Sequence, residues 1–171
     1  MLPRDHQGGL PPAITADLDE TAWEQTISLL KRVYAGEGYT SRENADTFMR
    51  RETFEAGGTM VIARELDGPV IGAVLHLVPN GALGQVARQG EAEFRVLAVA
   101  PEGRGRGIGE ALVDASVQRA RKEGASAVVI WSQPTMHAAH RLYGRMGFVR
   151  APERDQEDPR GFIRWVFRKE L

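Results

Sequence analysis

Apolar residues recur along the chain with two different spacings, and each spacing marks an element. Trp23, Ile27, Leu30 and Tyr34 share one helical face, and Gly36 and Gly38 end that helix. Thr21 followed by Glu24 has the form of a capping box, so the helix is expected to begin there. A second amphipathic helix is expected from Ser41 to Phe54, with Ala45, Phe48 and Met49 inward and Gly57-Gly58 as its stop. The pattern then changes to strands. Thr59 to Leu66 and Val70 to Val78 flank Asp67-Gly68, a hairpin turn signal. Ala92 to Val99 follows a glycine-containing loop, and Leu97-Ala98-Val99 reads as buried. Ile108, Ala111, Leu112 and Ala115 begin a helix that packs one face and stops at Gly124. Ala127 to Trp131 reads as a buried strand, and Thr135 to Met146 as a helix ended by Gly147. Phe148 to Arg150 and Phe162 to Arg168 read as closing strands on either side of a polar loop from Pro152 to Gly161.

The order of elements predicts an α/β (α+β layered) domain with a mixed sheet. The strand at 92–99, its helix and the strand at 127–131 form a parallel βαβ unit. Residues 1–12 contain Pro3, Gly8, Gly9, Pro11 and Pro12 and no apolar stretch, which predicts a loose tail before one domain from 13 to 171.

Composition narrows the chemistry. The 171 residues include 22 Lys and Arg against 23 Asp and Glu, for a formal net charge of −1. A near-neutral chain is not built around the field of a nucleic acid or an anionic membrane. The absence of cysteine excludes a cysteine nucleophile, disulfides and thiolate metal sites, and it fits a reducing compartment. No signal-peptide pattern or membrane-length apolar run is present, so a cytoplasmic protein is expected. His137 and His140 lie three residues apart on one helix with no nearby carboxylate, so no metal is expected and both read as surface residues. Trp131 and Trp165 read as core or dimer packing.

The most informative stretch is Val96 to Leu112, VLAVAPEGRGRGIGEAL. Gly103, Gly105, Gly107 and Gly109 let the backbone turn tightly and approach a ligand. The loop opens directly into a helix, whose free N–H groups and positive dipole end favour phosphate. Arg104 and Arg106 add positive charge. A P-loop is excluded because no Gly-Lys followed by Ser or Thr is present. A dinucleotide fingerprint fails in both registers, which end on Glu110 and Leu112 where Gly or Ala is required.

The pattern that remains, Arg104-x-x-Gly107-x-Gly109 after a strand ending Leu-Ala-Val, resembles the acyl-CoA-binding motif of GNAT N-acetyltransferases. Ala139 to Phe148, AHRLYGRMGF, resembles that superfamily's second signature, a helix with a Leu-Tyr pair ending at Gly-Phe. The resemblance covers Glu91 to Val149 and implies a mostly antiparallel twisted sheet flanked by helices around a central acyl-CoA-binding βαβ unit. It implies acetyl-CoA as co-substrate, with the pyrophosphate held by Arg104, Gly105, Arg106, Gly107, Ile108 and Gly109. Leu97, Ala98 and Val99 would carry the pantetheine arm on their backbone, and an amide at or beside Leu97 would polarise the thioester carbonyl.

By the same resemblance, Tyr143 is the general acid for the departing thiolate; otherwise it is a core tyrosine. Glu93 stands where the base glutamate of the histone-acetyltransferase branch does, although many relatives use a water chain and Glu91 is close by. Met136 stands where the family often has a CoA-contacting asparagine. The implied reaction is direct acetyl transfer to a primary amine on a small molecule or peptide. A non-catalytic acyl-CoA-binding module on the same fold is the alternative. Homodimers are common in the family. The sequence does not name the acceptor, although Glu37, Glu43 and Asp46 offer acidic charge to a cationic amine or simply line a solvated helix.

Overall fold

A computed structural model describes residues 10–171, and most of the expected 1–12 tail lies outside the described residues. The strands are β1 (Ala13–Thr15), β2 (Gly58–Arg64), β3 (Val70–Leu77), β4 (Glu91–Val99), β5 (Ala127–Ser132), β6 (Val149–Arg150), β7 (Gln156–Glu157) and β8 (Ile163–Glu170). The helices are α1 (Glu20–Gly36), α2 (Arg42–Phe48), α3 (Arg51–Gly57), α4 (Ile108–Lys122) and α5 (His137–Arg145). Strand order is β1-β2-β3-β4-β5-β8-β6, with β7 on the end of β8. Every pairing is antiparallel except β4 with β5, the two strands joined by α4. The mixed sheet and the central βαβ unit are therefore as expected.

Two helix boundaries differ from the sequence reading. α1 is capped by Asp19, whose Oδ1 accepts from the Ala22 amide at 2.7 Å, so the Thr21–Glu24 box is not the cap. The single helix expected over 41–54 is broken in two. Met49 leaves helical geometry at ψ 75 and Arg50 is extended before α3 starts. In one straight helix Met49 and Phe54 would face about 140° apart. The break lets both enter the core, where they are 3% and 0% exposed. Phe48 then meets Phe54 edge to face at 5.7 Å.

The main core lies between the sheet and the helices packed on it. α4 crosses β3 at Gly72, where a Cβ would come within 2.9 Å of both Ile108 Cγ2 and Leu112 Cδ1. Phe94 of β4 meets Tyr143 and Phe148 at 6.1 Å each, which seats α5 on the sheet. A buried polar chain also ties α4 to β3: His76 bonds Ser116 Oγ at 2.7 Å and Glu123 Oε2 at 2.9 Å. The hydrogen bonds offset the burial cost of the imidazole.

The central strand pair positions the site. β4 and β5 pair only from Glu91–Ala127 to Glu93–Val129, and beyond that register they part. β4 also slips against β3 between the partners of Ala73 and Leu75. There Val96 sits at φ 52, which costs energy for a β-branched residue and is held only by surrounding structure. The bulge turns the second half of β4 away from β5 and opens a wedge between them. At the closed end, Glu91 bonds Arg154 through both oxygens, at 2.9 and 2.8 Å, and Arg168 at 2.8 Å. No helix among the described residues is long and apolar enough to cross a membrane.

Candidate active site

Two cavities meet at the wedge. One, about 390 Å³, runs from Leu97–Val99 to the loop and first turn of α4, and is closed on the far side by α5. The other, about 500 Å³, lies between β4, β5, α2 and the segment that leads into β8. Tyr34, Tyr39, Leu97, Met136 and Ala139 line both, so they form the constriction where the cavities join. The Tyr34 hydroxyl donates to the Leu97 carbonyl at 3.0 Å and fixes α1 to the middle of β4.

The first cavity follows the free edge of β4 into the glycine loop before α4. Gly105 and Gly107 take φ 77 and 75, and Gly107 is the N-cap of α4 with no side-chain cap. The first amides of α4 are thus left to a ligand. Gly105, Gly107, Ile108 and Gly109 all line the channel, as do Leu97, Ala98 and Val99. A Cβ at Gly109 would stand 3.2 Å from Leu142 Cδ2, so glycine there lets α4 and α5 come together beneath the channel. Leu97 and Val99 are half-buried rather than buried, because their strand faces the opening.

The two loop arginines differ from each other. Arg104 lines the channel while paired to Glu37. Arg106 lies outside the lining and binds Glu65 at 2.6 Å. The cradle therefore consists of backbone amides and Arg104, and Arg106 braces the loop against the β2–β3 hairpin. Met136 lines both cavities with an apolar side chain. Arg145, which carried no assignment from sequence, reaches the channel from the end of α5 and bonds Glu110 at 3.1 Å.

Tyr143 lines the second cavity and is 3% exposed. Burial, with a lesser push from Tyr34, moves its hydroxyl far above the ordinary tyrosine range, so it stays protonated. Glu93 is placed differently from the base expected at that position. It lines neither cavity. Its Oε2 accepts from the amides of Gln85, Val86 and Ala87 at 3.0, 3.1 and 3.0 Å, while Oε1 is buried without a partner. Glu93 anchors the loop after β3, and it is buried rather than a solvated strand end.

Other expectations are corrected here. Glu37 is paired with Arg104 and Asp46 with Lys31, so the acidic cluster is not a free cation trap. His140 is not a plain surface residue: it stacks on Trp165 at 5.4 Å, and burial lowers its basicity. Trp131 packs on the small core cluster of Val86, Val129, Ala151 and Val166, as expected, and is also a wall of the second cavity. Arg95, Arg160 and Arg164 stand 5.7, 5.9 and 5.1 Å from its ring. Asp158 binds Arg160 and Arg164 at 2.8 and 2.9 Å, and these bonds hold its carboxyl far below the usual range despite burial. No metal-binding cluster occurs among the described residues.

A twisted, mixed sheet split at its one parallel pair, with a glycine-capped helix feeding the split, defines an acyl-CoA-type α/β fold. The family model "Acetyltransferase (GNAT) family" matches residues 21–148 of the 171, and the chain belongs to that family. It is 28% identical over 137 residues to a mycothiol acetyltransferase of Renibacterium salmoninarum, covering 78% of this chain and 38% of that protein. A mycothiol acetyltransferase of Stackebrandtia nassauensis is 32% identical over 116 residues, covering 66% and 35%. The chain thus spans about two fifths of the length of the curated relatives it matches. Among solved structures, the fold matches a GNAT-family protein of Desulfovibrio desulfuricans at TM-score 0.69 and 22% identity, covering 92% of this chain and 98% of that one. It also matches the PaiA N-acetyltransferase of Thermoplasma acidophilum, solved with coenzyme A, at TM-score 0.69 and 17% identity, covering 95% and 100%.

Proposed function

We propose that this chain is an N-acetyltransferase that moves an acetyl group from acetyl-CoA to a primary amine by direct transfer, with residues 13–171 acting as one domain. The observation that carries the reading is the pair of cavities joined at Leu97 and Tyr143's helix: one runs along the free edge of β4 to the glycine loop and suits a phosphate with an extended arm, and the other, about 500 Å³, leaves room for an acceptor.

Acetyl-CoA supplies an activated thioester. The amides at Gly105, Gly107, Ile108 and Gly109, with Arg104, receive its pyrophosphate. The open edge of β4 at Leu97, Ala98 and Val99 takes the arm as an added strand. An amide at or next to Leu97 polarises the thioester carbonyl. Tyr143, kept protonated by burial, gives its proton to the leaving sulfur. The acceptor's own proton leaves through water, because the second cavity has no free carboxylate among the described residues: Asp158 is held by two arginines and Glu93 lies outside the lining. Bringing both reactants to one constriction supplies the proximity that direct transfer needs. A cytoplasmic setting and amine acceptors of small-molecule or peptide type belong to the same proposal.

The test is calorimetric titration with acetyl-CoA, with CoA and ATP as controls. Micromolar binding of acetyl-CoA, followed by CoA release with an amine panel, is expected. Binding of acetyl-CoA with no turnover of any amine would favour a non-catalytic acyl-CoA module. Binding of ATP alone would remove the reading altogether.

A further inference from the structure

The second cavity has a charge that its volume and fold do not require. Its lining among the described residues holds three guanidinium groups, Arg95, Arg160 and Arg164, against the single carboxylate of Asp158. That carboxylate is already shared: Arg160 Nε takes Oδ1 at 2.8 Å and Arg164 Nε takes Oδ2 at 2.9 Å. Arg95 has no carboxylate within ion-pair distance among the described residues. Its protein hydrogen bond is one long contact from Nη1 to the Leu83 carbonyl at 3.3 Å. The guanidinium instead lies between aromatic faces, 5.0 Å from Phe48 and 5.7 Å from Trp131.

A half-buried guanidinium with most of its N–H groups unused is costly unless an anion completes it. Stacking orients the planar fork and leaves its edge for a bidentate partner. Burial weighs against the charge of Arg95, and the nearby Glu93 carboxylate and Tyr34 offset it only in part. Glu93 is nearby in sequence, but its Oε2 is taken by three loop amides. Around the arginines the wall is apolar, with Phe48, Met49, Leu83 and Trp131. An anionic group fits at Arg95, an apolar body fits against Trp131 and Phe48, and the reacting end is left toward Tyr143 and the constriction.

We infer that the acceptor is a small amine bearing an anionic group, carboxylate or phosphonate, on an apolar body, with Arg95 as the residue that selects the anion. The inference rests on the acyl-transfer reading and adds the substrate class. It reverses the polarity that the acidic residues Glu37, Glu43 and Asp46 suggested from sequence, since two of these are paired elsewhere.

The experiment compares three amines that share one skeleton: L-phenylalanine, its 1-amino-2-phenylethylphosphonate analogue and 2-phenylethylamine. CoA release at saturating acetyl-CoA gives kcat/KM for each, and the readout is the ratio of each anionic member to the neutral amine. At least one anionic member is expected to win by about tenfold or more, as for a charge-assisted hydrogen-bonded pair. The carboxylate and phosphonate arms show which anion is taken. In Arg95→Gln the ratio should fall towards one, and in Arg95→Lys part of it should return. Because it is a ratio, a general loss of folded protein cancels. The inference is overturned if acetyl-CoA binds and the neutral amine is as good or better, if neither anionic member is turned over, or if the ratio survives in Arg95→Gln. Failure to bind acetyl-CoA would strike the acyl-transfer reading instead, and the calorimetric titration separates the two.

Discussion

Glu91→Gln should destabilise the protein by about 3 kcal/mol at neutral pH, although it changes a single atom at the closed end of the wedge. Both Glu91 oxygens bond Arg154, whose side chain is 5% exposed and whose other contact is the Val86 carbonyl at 2.6 Å. Arg168, by contrast, is 30% exposed and has Glu170 as a second partner. Burial would raise the Glu91 carboxyl, but the bonds from Arg154 and Arg168 overcome it and hold it at about 2 against an ordinary 4.5. At about 1.4 kcal/mol per pH unit this difference corresponds to about 3 kcal/mol. A similar figure, about 3–5 kcal/mol, follows from leaving the Arg154 guanidinium buried without a counter-charge. Because the folded value is depressed, the stabilisation is complete above the ordinary 4.5 and is lost as pH falls toward about 2. For a chain of this size the melting temperature should drop by about 6–12 °C at neutral pH. Thermal melts of wild type and variant across a pH series measure this, and the gap should close as the pH approaches 2. Glu170→Gln is the control: its carboxylate is 82% exposed and should matter little. A Glu91→Gln melt within about 2 °C of wild type at neutral pH, or a gap that does not change with pH, would refute the reasoning.

Three further outcomes follow from the site. Gly107→Glu should weaken acetyl-CoA binding by more than about tenfold in calorimetry, since it sets a negative charge at a helix N-terminus built for phosphate. Its folding cost should stay near about 1–2 kcal/mol, because the position is left-handed but a Cβ there meets nothing within 4 Å. Tyr143→Phe should lower kcat by about 100-fold with the KM for acetyl-CoA nearly unchanged, and the deficit should persist to about pH 10 because the hydroxyl is held protonated; undiminished kcat would remove the general acid. Glu93→Gln should keep the shape of the pH–rate profile and most of the stability, since a carbonyl oxygen can accept the same three amides. Glu93→Ala leaves those amides unpaired and should cost about 3 kcal/mol or more. Loss of the acidic limb in Glu93→Gln would restore Glu93 as the base.

What could be read from the sequence is what short segments encode by themselves. The glycine loop and the helix after it are contiguous, so the cavity lining at Arg104, Gly105, Gly107, Ile108 and Gly109 was legible, whereas the turn of Arg106 toward Glu65 was not. The hairpin at Asp67-Gly68 was legible for the same reason: Asp67 takes φ 53 and the turn closes from Gly68 N to Glu65 O at 3.1 Å. The broken helix at Met49 was not, because the break brings both Met49 and Phe54 into a core that exists only with the sheet beneath. Nor was the wedge, since nothing in the residue type of Val96 announces a positive φ, and valine argues against one.

The acceptor cavity shows the same limit at the level of chemistry. Its charged wall is assembled from β4, β5 and the segment from Asp158 to Arg164, which lie far apart in the chain and meet around the Trp131 ring. Alternation along β4 places Glu91, Glu93 and Arg95 on one face, and that pattern alone does not tell their surroundings apart. Their surroundings separate them. Glu91 meets two arginines and becomes a clamp. Glu93 meets three loop amides and becomes an anchor. Arg95 meets aromatic faces and spends one long bond on the Leu83 carbonyl, so it is the one side chain of the three with donors left to act on something outside the protein. A functional charge on this strand is therefore recognised by what its neighbours fail to satisfy, and that property exists only after folding.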